Sequence, residues 1–234
     1  MSKNVENPRN IFGAFRFTNS LNIGQLIDSF NISSELNFLK FESQRFKFEK
    51  IIISLVISQI SPGIIGSTTA LIAILREDEL RIANLGDSTI IIIRGKDCIF
   101  RSEILQHSFN FPKQLGTGSF DTPQDAQSYK IKIQKGDIVI LGSDGLFDNV
   151  FEDDLLDEIS RFICPKKGII NARPQVISDA ITCRAKNASE DLNTPSPFSS
   201  QAMEEGLYYQ GGKNDDISVV VGIISNPKEL NTYR

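Results

Sequence analysis

The chain's most chemically suggestive stretch is GDIVILGSDGLFDN at 136 to 149. Ile138, Val139, Ile140 and Leu141 read as a short buried strand, which runs into Gly142, Ser143, Asp144 and Gly145. Asp148 returns a second carboxylate four residues later. Residues 79 to 94, ELRIANLGDSTIIIIR, repeat the design, with Asp87 expected at a hairpin tip between two strands. Residues 211 to 224, GGKNDDISVVVGII, place Asp215 and Asp216 directly before an apolar strand. An isolated Asp-Gly pair marks an ordinary turn. Three strand-end acid sites point further, because like charges held together disfavour joint ionisation unless a cation neutralises them. Carboxylate oxygens are the ligands Mg²⁺ and Mn²⁺ prefer, so the expectation is a hard-metal site with Mg²⁺ or Mn²⁺ as cofactor.

Strands are expected near 68 to 75, 79 to 85, 89 to 94, 98 to 101, 127 to 133, 137 to 142 and 217 to 224. They cluster in hairpins rather than in βαβ alternation, which favours an α+β layered fold over a doubly wound sheet. Leu155, Leu156, Ile159, Phe162 and Ile163 recur at helical spacing, predicting a helix over 152 to 164. Its acids Glu152, Asp153, Asp154 and Asp157 sit near the helix start, where the macrodipole favours them as solvated charge rather than metal ligands. A second helix is expected over 174 to 190 and a loop over 193 to 210. Residues 51 to 75 are apolar enough to suggest a membrane span, but Ser54, Ser58, Gln59, Ser61, Pro62 and the Gly66-Ser67-Thr68-Thr69 run interrupt them. A helix over about 50 to 60, a break at Pro62-Gly63 and a strand from about 68 are expected instead.

At 234 residues with 40% hydrophobic content, the chain can bury a substantial core in one domain. The organisation expected is a divergent N-terminal part at 1–50, the main body of the same domain at 51–226 and a tail at 227–234. A net charge of −4, without a basic-aromatic stripe, argues against a nucleic-acid partner. Cys98, Cys164 and Cys183 are scattered and odd in number, forming neither a zinc pattern nor a disulfide framework. They favour a reducing, intracellular compartment, cytoplasmic or mitochondrial. His107 is the sole histidine, which excludes imidazole-rich metal sites. It could serve as a general acid but is given no role.

Four ordered strings, GSTTA at 66 to 70, ANLGDS at 83 to 88, GDIVILGSDGLFDN at 136 to 149 and GGKNDDISVVV at 211 to 221, resemble the metal-dependent protein serine/threonine phosphatases of type 2C. The compact mitochondrial and chloroplast branch carries similar GLFDN and GGKxDDI strings, and QHSFNFPKQL at 106 to 115 also resembles it. The resemblance covers about residues 50 to 224. It implies a β-sandwich flanked by helices in α-β-β-α layers, with metals at one end of the sheets. It also implies hydrolysis of phosphoserine and phosphothreonine proteins by a metal-activated water, without a phosphoenzyme. By position, Asp144 and Asp215 would hold the principal centre. Asp87 and Asp148, with Asp144, would surround a weaker metal, with Gly145 a weak addition. Asp216 falls where the family tolerates Asn and is expected to support the centre indirectly. Ser67 and Thr68 are expected to shape a strand entry.

The departure lies at the front. The family's first motif, a strand ending in Asp-Gly-x-Gly-Gly, supplies a bridging Asp, and no such string occurs here. Spacing backward from Gly66 puts residues 9 to 16 at its place, so that Asn10 would stand for that Asp. By the same resemblance, the segment carrying a phosphate-holding Arg and part of the N-terminal strands are expected to be lacking. Asp28, the nearby acid, sits in an apolar helical pattern. A neutral amide bridges cations poorly, so the alternative to a phosphatase, taken to be a monomer with a phosphoprotein substrate, is a catalytically impaired binding module. SDGLFD also echoes the aspartyl-phosphate hydrolases, but their nucleophile would fall at Gly142, which has none.

Overall fold

The computed structural model describes residues 10–17, 52–55, 66–116, 118–164 and 170–225, the first two stretches as backbone alone. The described strands are β1 (Asn10–Phe17), β2 (Ile52–Leu55), β3 (Ser67–Thr68), β4 (Ala70–Arg76), β5 (Glu79–Leu85), β6 (Thr89–Arg94), β7 (Asp97–Arg101), β8 (Gln106–Ser108), β9 (Phe111–Pro112), β10 (Leu115–Gly116), β11 (Gln127–Lys132), β12 (Ile138–Gly142) and β13 (Ser218–Ser225). The described α-helices are α1 (Asp144–Phe147), α2 (Glu152–Ser160), α3 (Pro174–Glu190) and α4 (Pro197–Glu204).

A five-stranded sheet in the order β1-β13-β12-β6-β7 packs on a four-stranded sheet in the order β11-β5-β4-β2. Every named pairing is antiparallel. The apolar runs of β6, β12 and β13 are continuous because both faces of their sheet are covered. Alternate residues leave in opposite directions. Ile91, Ile93, Ile138, Ile140, Val219, Val221 and Ile223 pack with Leu155, Ile159, Ile177 and Ile181 of the helices. Ile90, Ile92, Val139, Leu141, Val220 and Ile224 pack with Leu71, Leu80 and Ile82 of the other sheet. This is the layered α+β sandwich expected, with α1, α2 and α3 on the five-stranded side.

Strands at 79–85 and 89–94 and the helix at 174–190 have the limits anticipated. Three expectations are corrected. Residues 52–55, expected in a helix, form an edge strand whose Ile52 to Leu55 pair with Ala73 to Ala70, because a short Ile-rich run suits a pleated edge as readily as a helix. Within the expected loop over 193 to 210, Pro197–Glu204 is helical. Ser196 caps it, its hydroxyl accepting from the Ser199 N–H at 3.0 Å, with Pro197 in the first turn. The Gly86-Asp87-Ser88 turn is not a hairpin tip: β5 belongs to the four-stranded sheet and β6 to the five-stranded one, so Asp87 lies where the chain crosses between layers. Gly86 makes that crossing at φ +107°, a conformation that side chains disfavour, and a Cβ there would stand 2.4 Å from Thr69 Cγ2.

Candidate metal centre

The site forms where β12 ends and β13 begins, two central neighbours whose antiparallel pairing brings Gly142 opposite Val219. Ser143 ties the two ends together. Its N–H donates to the Ser218 carbonyl at 3.1 Å, its hydroxyl donates to the Asp216 carbonyl at 3.2 Å, and the Ser218 N–H donates back to that hydroxyl at 3.1 Å. The single turn of α1 then closes with the Asp148 N–H on the Asp144 carbonyl at 2.7 Å. Residues four apart on a helix share a face, so Asp144 and Asp148 project together. Gly145 lets this turn approach the Asp215-Asp216 segment, for a Cβ there would stand 2.4 Å from the Asp216 carbonyl oxygen. The Gly145 N–H donates to Asp144 Oδ1 at 2.9 Å, and the Asp216 N–H to Asp215 Oδ1 at 2.8 Å, fixing both carboxylates.

Asp87 enters from the inter-sheet crossing. Its pKa is raised from 3.8 to about 6, first by burial and then by the charge of Asp144. Asp148 is raised too, chiefly by burial, which outweighs its bond to Lys213. Asp87, Asp144 and Asp148 are therefore one electrostatic group.

The residue at its centre is Lys213. Its Nζ stands 2.7 Å from Asp148 Oδ2, 3.1 Å from Asp144 Oδ2 and 3.4 Å from Asp215 Oδ2. Burial works against its charge, yet Asp148 and then Asp144 hold its pKa well above the usual lysine range. Asn110 Oδ1 accepts from the same ammonium at 3.3 Å, and the Phe198 ring centroid lies 5.0 Å away. The Lys213 backbone is clamped by buried Asn149. The Asn149 amide oxygen accepts from the Lys213 N–H at 2.8 Å, and its nitrogen donates to the Lys213 carbonyl at 2.8 Å and to the Gly145 carbonyl at 2.9 Å.

The anticipated acids Asp87, Asp144, Asp148 and Asp215 thus share one site, with Gly145 beneath them. The functional side chains of Lys213, Asn149, Asn110 and Phe198 escaped sequence reasoning. Lys213 and Asn149 lie inside the strings GGKNDD and GLFDN, and Asn110, at φ +52°, inside QHSFNFPKQL, whereas Phe198 carries no local signal. Asp216 contributes its backbone carbonyl to Ser143. Ser67 bonds Gln114 at a strand entry, and β3 pairs with β10. His107 Nε2 lies 2.9 Å from Asp121 Oδ2, on the segment that also carries Asn110. The register of β1 pairs Asn10 with Ser225 and Phe17 with Ser218. Asn10 therefore lies roughly 23 Å along β13 from the acids, at about 3.3 Å per residue. Arg16 and Phe17 are at the site end of that strand, and the register does not bring Asn10 to the centre. Asp28 lies outside the described residues.

Among the described residues, no group of three or more His, Cys, Asp and Glu side chains is disposed to hold a metal ion as it stands. The Lys213 ammonium is interposed, standing in for a cation among oxygen donors. The donor chemistry fits a hard divalent ion: three carboxylates from two strand ends converge on one positive centre, each only partly exposed.

Residues 56–221 match the family model described as Stage II sporulation protein E (SpoIIE). The chain is 38% identical over 165 residues to probable protein phosphatase 2C 55 of Arabidopsis thaliana, covering 70% of this chain and 34% of that one. It is 36% identical over 175 residues to the protein phosphatase PTC7 homolog of Homo sapiens, covering 69% of this chain and 55% of that one. It thus spans about a third to just over half the length of these relatives. Among solved structures, the photosystem II phosphatase PBCP is similar with a TM-score of 0.62 and 29% identity, over 69% of this chain and 65% of that one.

Proposed function

The chain belongs to the type 2C protein serine/threonine phosphatase family, and on that premise we propose that it hydrolyses phosphoserine and phosphothreonine proteins in a Mg²⁺- or Mn²⁺-dependent reaction. The observation carrying this reading is the convergence of Asp144, Asp148 and Asp215 on one cation at the ends of β12 and β13. A bound divalent cation supplies an activated water and neutralises charge on a phosphoryl oxygen. The chain's own groups do the holding. Asp144 and Asp215 would hold the principal cation, and Asp87 and Asp148 would enclose the space beside Asp144. Ser143 and Asn149 keep the two strand ends in register. The partner is a phosphoprotein. An intracellular compartment accords with free Cys98, Cys164 and Cys183, and no helix among the described residues is long and apolar enough to cross a membrane.

One observation favours a second reading, a catalytically impaired binding module. The end of β1 that reaches the site carries Arg16 and Phe17, so this strand brings no acid to the other carboxylates. Mn²⁺-dependent hydrolysis of a phosphothreonine peptide separates the two readings. Activity in the chain that falls at least a hundredfold in Asp144→Asn supports catalysis. Equal inertness of both folded proteins sinks it and leaves the binding module.

A further inference from the structure

We infer that Lys213 is a built-in counter-cation of the carboxylate cluster, which an incoming divalent ion must displace, so that this one side chain sets the centre's metal affinity. The inference rests on the metal-dependent reading above and adds a regulating element to it. Most lysine ion pairs are single, exposed and weak. Lys213 is different: its side chain is only 17% exposed and three carboxylates lie within 3.4 Å of its Nζ. It therefore occupies the carboxylates that would hold a divalent ion. An ammonium and a divalent ion cannot occupy one carboxylate cluster without strong mutual repulsion.

The same surroundings offer the ammonium somewhere to go. Asn110 Oδ1 at 3.3 Å and the Phe198 ring face at 5.0 Å stand beside Nζ without belonging to the acid cluster. Asn149 holds the Lys213 backbone through both its N–H and its carbonyl, so an exchange moves only the flexible side chain. Phe198 is itself fixed, its N–H donating to the Asp148 carbonyl at 3.0 Å and its ring packing on Phe109 and Tyr209. The centre thus has two arrangements, one closed on lysine and one opened for metal, and their balance is set by a single residue.

The test is calorimetric titration of the chelator-treated full chain with MnCl₂, in wild type, Lys213→Met and Lys213→Arg. Lys213→Met is expected to bind Mn²⁺ at least tenfold more tightly, and Lys213→Arg within threefold of wild type. Without metal, Lys213→Met should melt at a lower temperature than wild type, and Mn²⁺ should raise its melting temperature by more. Lys213→Gln carries the same expectation should the methionine variant fail to fold. Equal or weaker Mn²⁺ binding by the uncharged variants overturns the inference while leaving the metal site intact. If no variant and no wild-type protein binds Mn²⁺, the metal-dependent reading itself fails and the inference falls with it.

Discussion

The Asn149 side chain grips Lys213 from both sides, accepting from its N–H and donating to its carbonyl, each at 2.8 Å. Its third bond, to the Gly145 carbonyl, ties the segment before β13 to α1. These contacts join residues 64 apart in sequence, and Asn149 is only 4% exposed. Removing the amide strands buried backbone groups, which cost about 1–3 kcal/mol each when left unpaired. Asn149→Ala should therefore lose about 2–4 kcal/mol in urea denaturation, and its folded fraction should bind Mn²⁺ at least tenfold more weakly. Asn149→Asp keeps the shape and the acceptor but loses both donor bonds, so it should not restore either quantity. Wild-type Mn²⁺ affinity in both variants would refute a positioning role.

Asp87 makes stability of the metal-free protein depend on pH. Its folded-state pKa, about 6, lies above its ordinary 3.8. Between those values the folded protein holds a proton that the unfolded chain has released. Stability from this group is therefore present below pH 4, falls as pH rises, and is lost above pH 6. Asp87→Asn removes the ionisation, so without metal it should exceed wild type at pH 7.5 by about 1–2 kcal/mol, after discounting for solvent around a half-buried group. At pH 4 the difference should nearly vanish. Chemical denaturation at the two pH values checks this, and an equal difference at both would contradict it.

Gly145 tests whether close approach of backbone assembles the centre. A Cβ there meets the Asp216 carbonyl oxygen at 2.4 Å and Ile217 Cγ1 at 3.2 Å. The first obstacle is backbone and cannot swing aside. Gly145→Ala should cost about 1–3 kcal/mol as overpacking and weaken Mn²⁺ binding at least tenfold by parting Asp144 from Asp215. Gly66→Ala is the control, because nothing among the described residues lies within 4 Å of its Cβ position and its φ is not in the left-handed region. It should stay within about 0.5 kcal/mol of wild type in melting experiments, as ordinary surface changes do.

Much of this was legible in the chain because local chemistry and tertiary role agreed. The runs at Ile90–Ile93, Ile138–Leu141 and Val219–Val221 are continuous because two apolar layers cover them, and continuity identifies a doubly buried strand. Asp144, Asp148, Asp87 and Asp215 stood out because each follows or precedes such a run in a turn. What stayed hidden depends on remote partners. Lys213 reads as one more charge until the Asn149 clamp and three acids from two segments are placed around it. Asp87 read as a hairpin tip because β5 and β6 are sequential, whereas sheet assignment is decided by cross-strand packing. The edge strand at 52–55 and the helix at 197–204 escape for a third reason: a four-residue run with three apolar members carries no distinguishable period, and a polar stretch conceals a Ser-Pro helix start.

The sheet's other end offers a test of whether loss of fold stability alone disturbs the metal centre. Asp137, buried at the start of β12, receives Arg94 Nε at 2.9 Å and a second guanidinium nitrogen at 2.8 Å, while the Gln134 N–H donates to it at 2.7 Å. A bidentate pair of this kind is geometrically specific, and removing one partner leaves a buried charge. Arg94→Met should therefore destabilise by about 3 kcal/mol or more. Asp137→Asn should cost less, because the amide retains an acceptor for the Gln134 N–H. The double variant should be less destabilised than the sum of the singles, since each single leaves the other partner stranded. Neither residue touches Asp144 or Asp215, and β12 separates the two ends. Mn²⁺ affinity should then remain within threefold of wild type in every variant that folds. A tenfold loss would mean that the central strands transmit strain from one end of the sheet to the other.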